Sequence, residues 1–325
     1  MHGRLSVNAR PPAALAAAAR RLSTHAPPPP PHRTLLVCEA APRVLEVRLN
    51  RPAKSNAMSK LMFAELAAAF GRLATEEGCG DWRAVLLTGE GSSFTSGLDL
   101  IDHAALLLPP GGAASTAAAG GAAAAPRAED PARRAWALQR LVRSYQDAVS
   151  SLERCPVPVI ACIHGACVGG GVDLVCAADV RLASADATFV VKEAELGLAA
   201  DLGTLQRLPW LVGNDSLVRE LAFTARPWPA EEAARHGFLS AVLPDREAMR
   251  ARALATALRI AALSPLAVAG TKAQLNFARG RPVTDGLAFA AAWTGGALQT
   301  GDIAVSAARL RGGREAVADD FAPLG

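Results

Sequence analysis

The chain has 325 residues, is 51% hydrophobic and 20% charged, and carries a formal net charge of +4. It is long enough to bury a large core. The positive charge is confined to the start: residues 1–33 hold Arg4, Arg10, Arg20, Arg21 and Arg33 and no Asp, Glu or Lys. The other 29 basic side chains are matched by 30 acidic ones, so a basic nucleic-acid surface is not indicated for the body.

An acid-free, Ala-rich leader with arginines, Ser23 and Thr24 reads as a transit peptide, with Arg20–Thr24 near a processing site; a disordered tail is the alternative. The composition favours the mitochondrial matrix over plastid or peroxisome. Pro27–Pro31 is a stiff polyproline spacer.

Beyond the leader, Leu35–Cys38 and Val44–Leu49 are expected as a strand hairpin. Ser59–Ala74 is an amphipathic helix, with Phe63, Leu66, Phe70 and Leu73 at helical spacing and Ser59 as N-cap. Ala84–Thr88 is a short apolar strand feeding the loop Gly89–Asp99. Ala104–Pro126 carries no charge and is broken by Pro109-Pro110 and glycines, so it is a low-complexity loop and not a membrane span. A second helix runs over about 134–154, with Leu138, Leu141, Val142, Tyr145, Val149 and Leu152 as its apolar stripe, and Cys155-Pro156 ends it.

Val157–Ile163 is a buried strand, followed by the turn Gly165–Gly171, a helix over 171–178, and strands over 179–183 and 188–191. From Thr204 the chain is mainly helical, broken at Pro209, Pro227, Pro229 and Pro265. This alternation followed by helices indicates an α/β core with a helical C-terminal part. The expected divisions are 1–33 (leader and spacer), 34–235 (core, with an insert at 103–133) and 236–325 (helical region). Six cysteines form no C-x-x-C pair and read as reduced core residues, neither disulfides nor metal ligands.

Three stretches carry chemistry. In Gly165–Leu174 a strand enters and a helix leaves a run of three glycines, Gly169-Gly170-Gly171, with Asp173 just inside the helix. Glycines there admit a ligand to the backbone, and helix-start N–H groups are free to bind it. The run is neither G-x-G-x-x-G nor a P-loop. The bland explanation is close helix–strand packing.

Phe94-Thr95-Ser96-Gly97-Leu98-Asp99-Leu100 is the second stretch; alone it is an ordinary strand-to-helix turn capped by Asp99. The third, Lys192–Thr204, sets Glu193 and Asp201 among apolar and small residues, where an N-cap or a solvated loop would equally account for them.

Together these stretches, with Leu49-Asn50-Arg51-Pro52 and Ser55-Asn56-Ala57, resemble the crotonase (enoyl-CoA hydratase/isomerase) superfamily over roughly residues 35–320. Within it the likeness is to the dienoyl-CoA isomerase branch, through Phe94–Leu100, Gly165–Leu174, Lys192-Glu193, Gly197–Pro209, Leu221–Arg226 and Leu298-Gln299-Thr300. Hydratases carry Glu at the positions of both Asp173 and Glu193 and lack the acid at Asp201.

The resemblance implies a ββα spiral core and a helical C-terminal trimerisation region, giving a homotrimer or homohexamer. It implies an acyl-CoA thioester substrate, no metal and no cofactor beyond the coenzyme A of the substrate itself. It makes Asp173, Glu193 and Asp201 catalytic: Glu193 as base at C2, Asp201 as acid at C6, and Asp173 as the residue that orients or tunes them.

Different environments would keep one acid ionised and the other protonated, with Leu198, Leu202 and nearby alanines as an apolar wall around Asp201. Ser96, Gly97, Leu98, Asp99, Gly170 and Gly171 form the oxyanion and substrate-binding loops, with the Ser96 and Gly170 N–H groups as donors. His164 is expected to make a structural hydrogen bond, and Lys272 to meet a CoA phosphate or solvent. The rival readings are a hydratase, a Δ3,Δ2-enoyl-CoA isomerase, a thioester hydrolase, and a silent or RNA-binding relative.

Overall fold

The computed structural model describes residues 32–104 and 130–324; the transit-peptide reading and most of the low-complexity insert lie outside them. In chain order the main elements begin with β1 (Leu35–Ala41), β2 (Val44–Leu49), α1 (Lys60–Leu73), β3 (Ala84–Gly89), α2 (Pro131–Arg154), β4 (Val159–Ile163), β5 (Ala166–Val168) and α3 (Gly170–Cys176). They continue with β6 (Val180–Ser184), β7 (Thr188–Val190), α4 (Thr204–Val212), α5 (Asp215–Thr224), β8 (Trp228–Pro229), α6 (Ala230–Arg235) and β9 (Ala241–Leu243). Four helices close the chain: α7 (Arg246–Ala261), α8 (Pro265–Ala278), α9 (Val283–Ala297) and α10 (Asp302–Arg311).

Six strands form one sheet in the order β1-β2-β3-β4-β6-β9, parallel except for the β1–β2 hairpin. A second sheet is β5-β7-β8. The chain visits the two in turn, β4 then β5 and β6 then β7, which makes the ββα spiral. Single bridges Met58↔Leu98 and Thr95↔Cys167 extend the smaller sheet into the loop after β3.

Side-chain alternation divides the large sheet. Val85, Leu87, Val159, Ala161 and Ile163 face the main core with α1 and α2. Ala84, Leu86, Ile160 and Cys162 face α7. That helix presents Ala253, Ala257 and Ala261 at four-residue spacing, a flat strip that lets it lie close against the strands. Ser59 caps α1, its hydroxyl accepting the Met62 N–H at 3.2 Å.

Several elements differ from the sequence expectation. The second helix starts at Pro131, where Asp130 accepts the Ala132 N–H at 2.9 Å and Pro131 occupies the first turn. His103 and Ala104, assigned to the insert, are described residues, and His103 is fully buried. Strands β5, β8 and β9 were not anticipated: each has two or three residues and exists through its pairing partners.

All six cysteines are free; Cys38 is exposed and the others are buried. The C-terminal helices pack on one another through the Phe277–Phe289 stack, ring centroids 4.2 Å apart. No residue of α9 or α10 is buried, and Leu275, Val283, Leu287, Leu298 and Leu310 stand exposed. Among the described residues no single helix is long and apolar enough to cross a membrane.

Candidate active site

Asn56 organises the first site loop. It is fully buried, its amide nitrogen donates to the carbonyls of Glu90 (2.7 Å) and Ser93 (2.9 Å), and its Oδ1 accepts the Arg51 N–H at 2.8 Å. Thr95 adds a second tie, donating to the Asn56 carbonyl at 2.7 Å and accepting the Gly97 N–H at 3.1 Å.

Gly97 then turns with φ +88, where a Cβ would lie 2.7 Å from the Val168 carbonyl oxygen. Only glycine fits that approach. The loop therefore lies directly against the Val168-Gly169 backbone that opens α3.

Which N–H groups remain free decides what the loops can bind. The Ser96 N–H donates to the Ser55 carbonyl at 2.9 Å. That corrects the expectation that Ser96 is an oxyanion donor: its N–H is already spent. The neighbouring bridge uses the Met58 N–H to Gly97 O (2.7 Å) and the Asp99 N–H to Met58 O (3.0 Å). Leu98, between them, points its N–H the other way, and among the described residues it meets no acceptor.

The Gly170 N–H is likewise without an acceptor, being in the first turn of α3. Gly169 turns with φ +50 and donates to the Val190 carbonyl at 2.9 Å. A Cβ on Gly169 would sit 3.2 Å from Glu193 Oε1, so the Glu193 carboxyl lies against the glycine turn.

The three acids share this region in different environments. Asp173 is 1% exposed, and its Oδ1 accepts the Thr204 N–H at 2.6 Å, tying the Asp201–Thr204 turn to α3. Burial pushes its pKa up to about 6; Thr204 and the Arg207 charge pull against this, and Asp201 adds to it.

Glu193 is 8% exposed, and its buried Oε2 has no partner among the described residues. Burial first, then the Asp173 and Asp201 charges, push its pKa up to about 7. Asp201 lies on the surface of the chain, yet enough protein surrounds its carboxyl to raise its pKa by desolvation. Its carbonyl accepts from Gln146 Nε2 at 2.7 Å. Of the residues expected to form an apolar wall around it, Leu202 and Ala200 belong to the main core cluster and Leu198 is only partly buried.

Other predicted residues fall elsewhere. Asp99 pairs with Arg51 at 2.9 Å and accepts the Asp102 N–H at 3.2 Å, so its carboxylate serves the loop itself. Gly171 packs its Cα against Thr95, where a Cβ would lie 2.3 Å from Cγ2. His164 makes the expected structural contact, Nε2 to Gly91 O at 3.0 Å. Lys272 meets neither solvent nor an open surface. It is 5% exposed, pairs with Asp179 at 2.7 Å and donates to Leu152 O at 2.7 Å, bracing α8 against the end of α2. An open cleft of about 450 Å³ beside Arg51, Lys60 and Asp102 contains none of the three acids.

Sequence reasoning passed over Thr204 and Arg207, although both lie in the Gly197–Pro209 run. Arg207 pairs with Glu153 at 2.6 Å, and Glu153 also takes Arg279 at 2.7 Å, so α2, α4 and α8 meet at one carboxylate.

Two buried acids, Asp173 and Glu193, with Asp201 at the surface nearby and free N–H groups on Leu98 and Gly170, are suited to forming and protonating an enolate. Residues 39–110 and 119–304 match the family model Enoyl-CoA hydratase/isomerase, and the chain belongs to that family. Relatives within it include Delta(3,5)-Delta(2,4)-dienoyl-CoA isomerases at 38–44% identity and probable enoyl-CoA hydratases of mycobacteria at 32–33%. The mitochondrial Delta(3,5)-Delta(2,4)-dienoyl-CoA isomerase of Homo sapiens is 44% identical over 275 residues, 85% of this chain and 78% of that protein.

The peroxisomal Delta(3,5)-Delta(2,4)-dienoyl-CoA isomerase of Arabidopsis thaliana is 38% identical over 270 residues, 82% of this chain and 90% of that one. Among solved structures, a putative enoyl-CoA hydratase from Streptomyces coelicolor A3(2) superposes with a TM-score of 0.75 at 28% identity, covering 91% of this chain and 98% of its own. The crotonase-like α/β spiral with C-terminal helices is thus the fold of this chain.

Proposed function

We propose that the protein isomerises 3,5-dienoyl-CoA to 2,4-dienoyl-CoA. The observation that carries this is the placement of Glu193 against the glycine turn, with a second acid, Asp201, eight residues on at the surface. The thioester oxygen sits between the Leu98 and Gly170 N–H groups. That puts C2, the carbon next to the carbonyl, beside Glu193. Glu193 takes the C2 proton, charge spreads over the conjugated chain to C6, and Asp201 protonates C6.

The acyl tail covers Asp201 and desolvates it further, favouring its protonated form. Asp173 holds the Asp201–Thr204 turn through Thr204 and raises the proton affinity of Glu193. Proton transfer of this kind requires no metal and no further cofactor. The names of the relatives support the substrate. Asp in place of Glu at 173 and the additional acid at 201 speak against a hydratase.

The acid-free leader and the mitochondrial human relative support action in the mitochondrial matrix, in the oxidation of unsaturated fatty acids. The uncovered apolar face of α8–α10 supports assembly into a homotrimer or homohexamer. Conjugated-dienoyl absorbance after addition of 3,5-dienoyl-CoA tests the reading. The wild type should produce it, and Glu193→Gln and Asp201→Asn should each nearly abolish it while staying folded. Unchanged turnover in either variant rejects these roles.

A further inference from the structure

Two side chains that the proton transfers do not use connect the two halves of the oxyanion hole. His103 is fully buried, and its Nδ1 lies 2.8 Å from the Asp99 carbonyl oxygen, which also accepts the His103 N–H at 3.1 Å. Its Nε2 lies 2.8 Å from the Tyr145 hydroxyl. A carbonyl oxygen can only accept, so Nδ1 carries a proton, and the contact of Nε2 with the Tyr145 hydroxyl is the second hydrogen bond of the ring.

Tyr145, on α2, is 6% exposed and stacks on Phe63 of α1, with centroids 4.1 Å apart and planes 15° apart. Phe63 in turn lies beneath Gly170: a Cβ on that glycine would be 3.9 Å from Phe63 Cζ. Asp99 directly follows Leu98. Tyr145 therefore reaches both donor segments through one intermediary each, by a hydrogen bond toward Leu98 and by ring packing toward Gly170.

We propose that Tyr145 and His103 form a positioning clamp that sets the spacing between the Leu98 and Gly170 N–H groups, and so the strength with which the thioester oxyanion is held. The proposal rests on the assignment of those two N–H groups as oxyanion donors. Neither side chain touches the reacting atoms. The clamp uses buried groups on two helices to fix a loop that ends in the insert, and a loop donor held only by its neighbours would be less well placed. Removing an oxyanion donor outright costs about 10²–10³ in rate; letting one drift is expected to cost about tenfold in kcat.

The test uses Tyr145→Phe, which deletes one oxygen and keeps the stack, and His103→Asn, which keeps a donor near Asp99 and loses Tyr145. The probe is 2,4-hexadienoyl-CoA, whose conjugated absorbance moves to the red when its carbonyl is polarised by hydrogen bonds. The clamp predicts a smaller red shift in each folded variant than in wild type and about tenfold lower kcat. It also predicts KM nearly unchanged, and a double variant no worse than the poorer single one, because both break the same bond.

Folded Tyr145→Phe and His103→Asn proteins with wild-type red shift and kcat would overturn the clamp and leave the oxyanion assignment standing. A wild-type complex showing no red shift at all would overturn that assignment and the clamp with it.

Discussion

Replacing Glu193 by Gln should make the protein more stable and nearly inactive, and the stability gain should depend on pH. The Glu193 carboxyl is buried, one of its oxygens has no partner among the described residues, and its pKa is pushed from 4.5 to about 7, by burial first and by Asp173 next. An acid whose pKa is raised by folding supports the fold only while protonated. That support is complete below about 4.5 and is lost as pH rises through about 7. Each pH unit between these values is worth about 1.4 kcal/mol, so the full span sets an upper bound of about 3 kcal/mol at pH 8.

Glutamine keeps the volume and never ionises, so it escapes this cost. For a domain of this size about 2 kcal/mol raises the melting temperature by several degrees. Thermal melts of both proteins at pH 5 and pH 8 give the check. They should lie close together at pH 5 and separate much further at pH 8 with Glu193→Gln higher, while dienoyl-CoA formation falls by about 10²–10⁴. A variant less stable than wild type at pH 8, or equally shifted at both pH values, would refute the reasoning.

For wild type, kcat/KM should rise with pH through an apparent pKa near 7, as Glu193 ionises. Asp173→Asn removes a charge that adds to the effect of burial on Glu193 and should move this limb to lower pH, visible in a pH–rate profile. Gly97→Ala should cost about 1–3 kcal/mol in denaturant melts and most of the turnover, since a Cβ there strikes the Val168 carbonyl at a positive φ. Ser96→Ala should turn over like wild type, because its N–H is held by the Ser55 carbonyl and its exposed side chain has no part in the proposed proton transfers. Lys272→Met should lose about 3 kcal/mol of stability by stranding Asp179 and two carbonyls, with KM for acyl-CoA unchanged in steady-state assays.

What the sequence disclosed follows from how local each cause is. The α1 boundary was legible because Ser59 and the apolar spacing act within the helix itself. β3 and β4 were legible because they are wholly or nearly apolar runs, and β2 because Val44, Leu45, Val47 and Leu49 carry it past Glu46 and Arg48. β5, β8 and β9 were not, since two or three residues become a strand only when β7 or β6 lies alongside. The start of α2 carried a usable sign in Asp130-Pro131, a cap followed by proline in the first turn, which the neighbouring low-complexity stretch obscured.

At the site, the acids and the glycine turn were recognisable as residues, but their environments were not. The choice between Ser96 and Leu98 as donor depends on a bond to Ser55 far back in the chain. The fate of Lys272 depends on where α8 crosses the end of α2. His103 looked like the edge of an insert, and only its contacts with Asp99 and Tyr145 give it a place.

The central claim is that a proton leaves C2 and another arrives at C6. Purified wild-type protein given 3,5-dienoyl-CoA in deuterium oxide tests it most directly, with absorbance following the conjugated product and proton NMR locating the label. The account predicts a rise in dienoyl absorbance with deuterium entering at C6 of the 2,4-dienoyl product. No rise, in a preparation that readily hydrates 2-enoyl-CoA, or a label entering at C4 instead of C6, would contradict it.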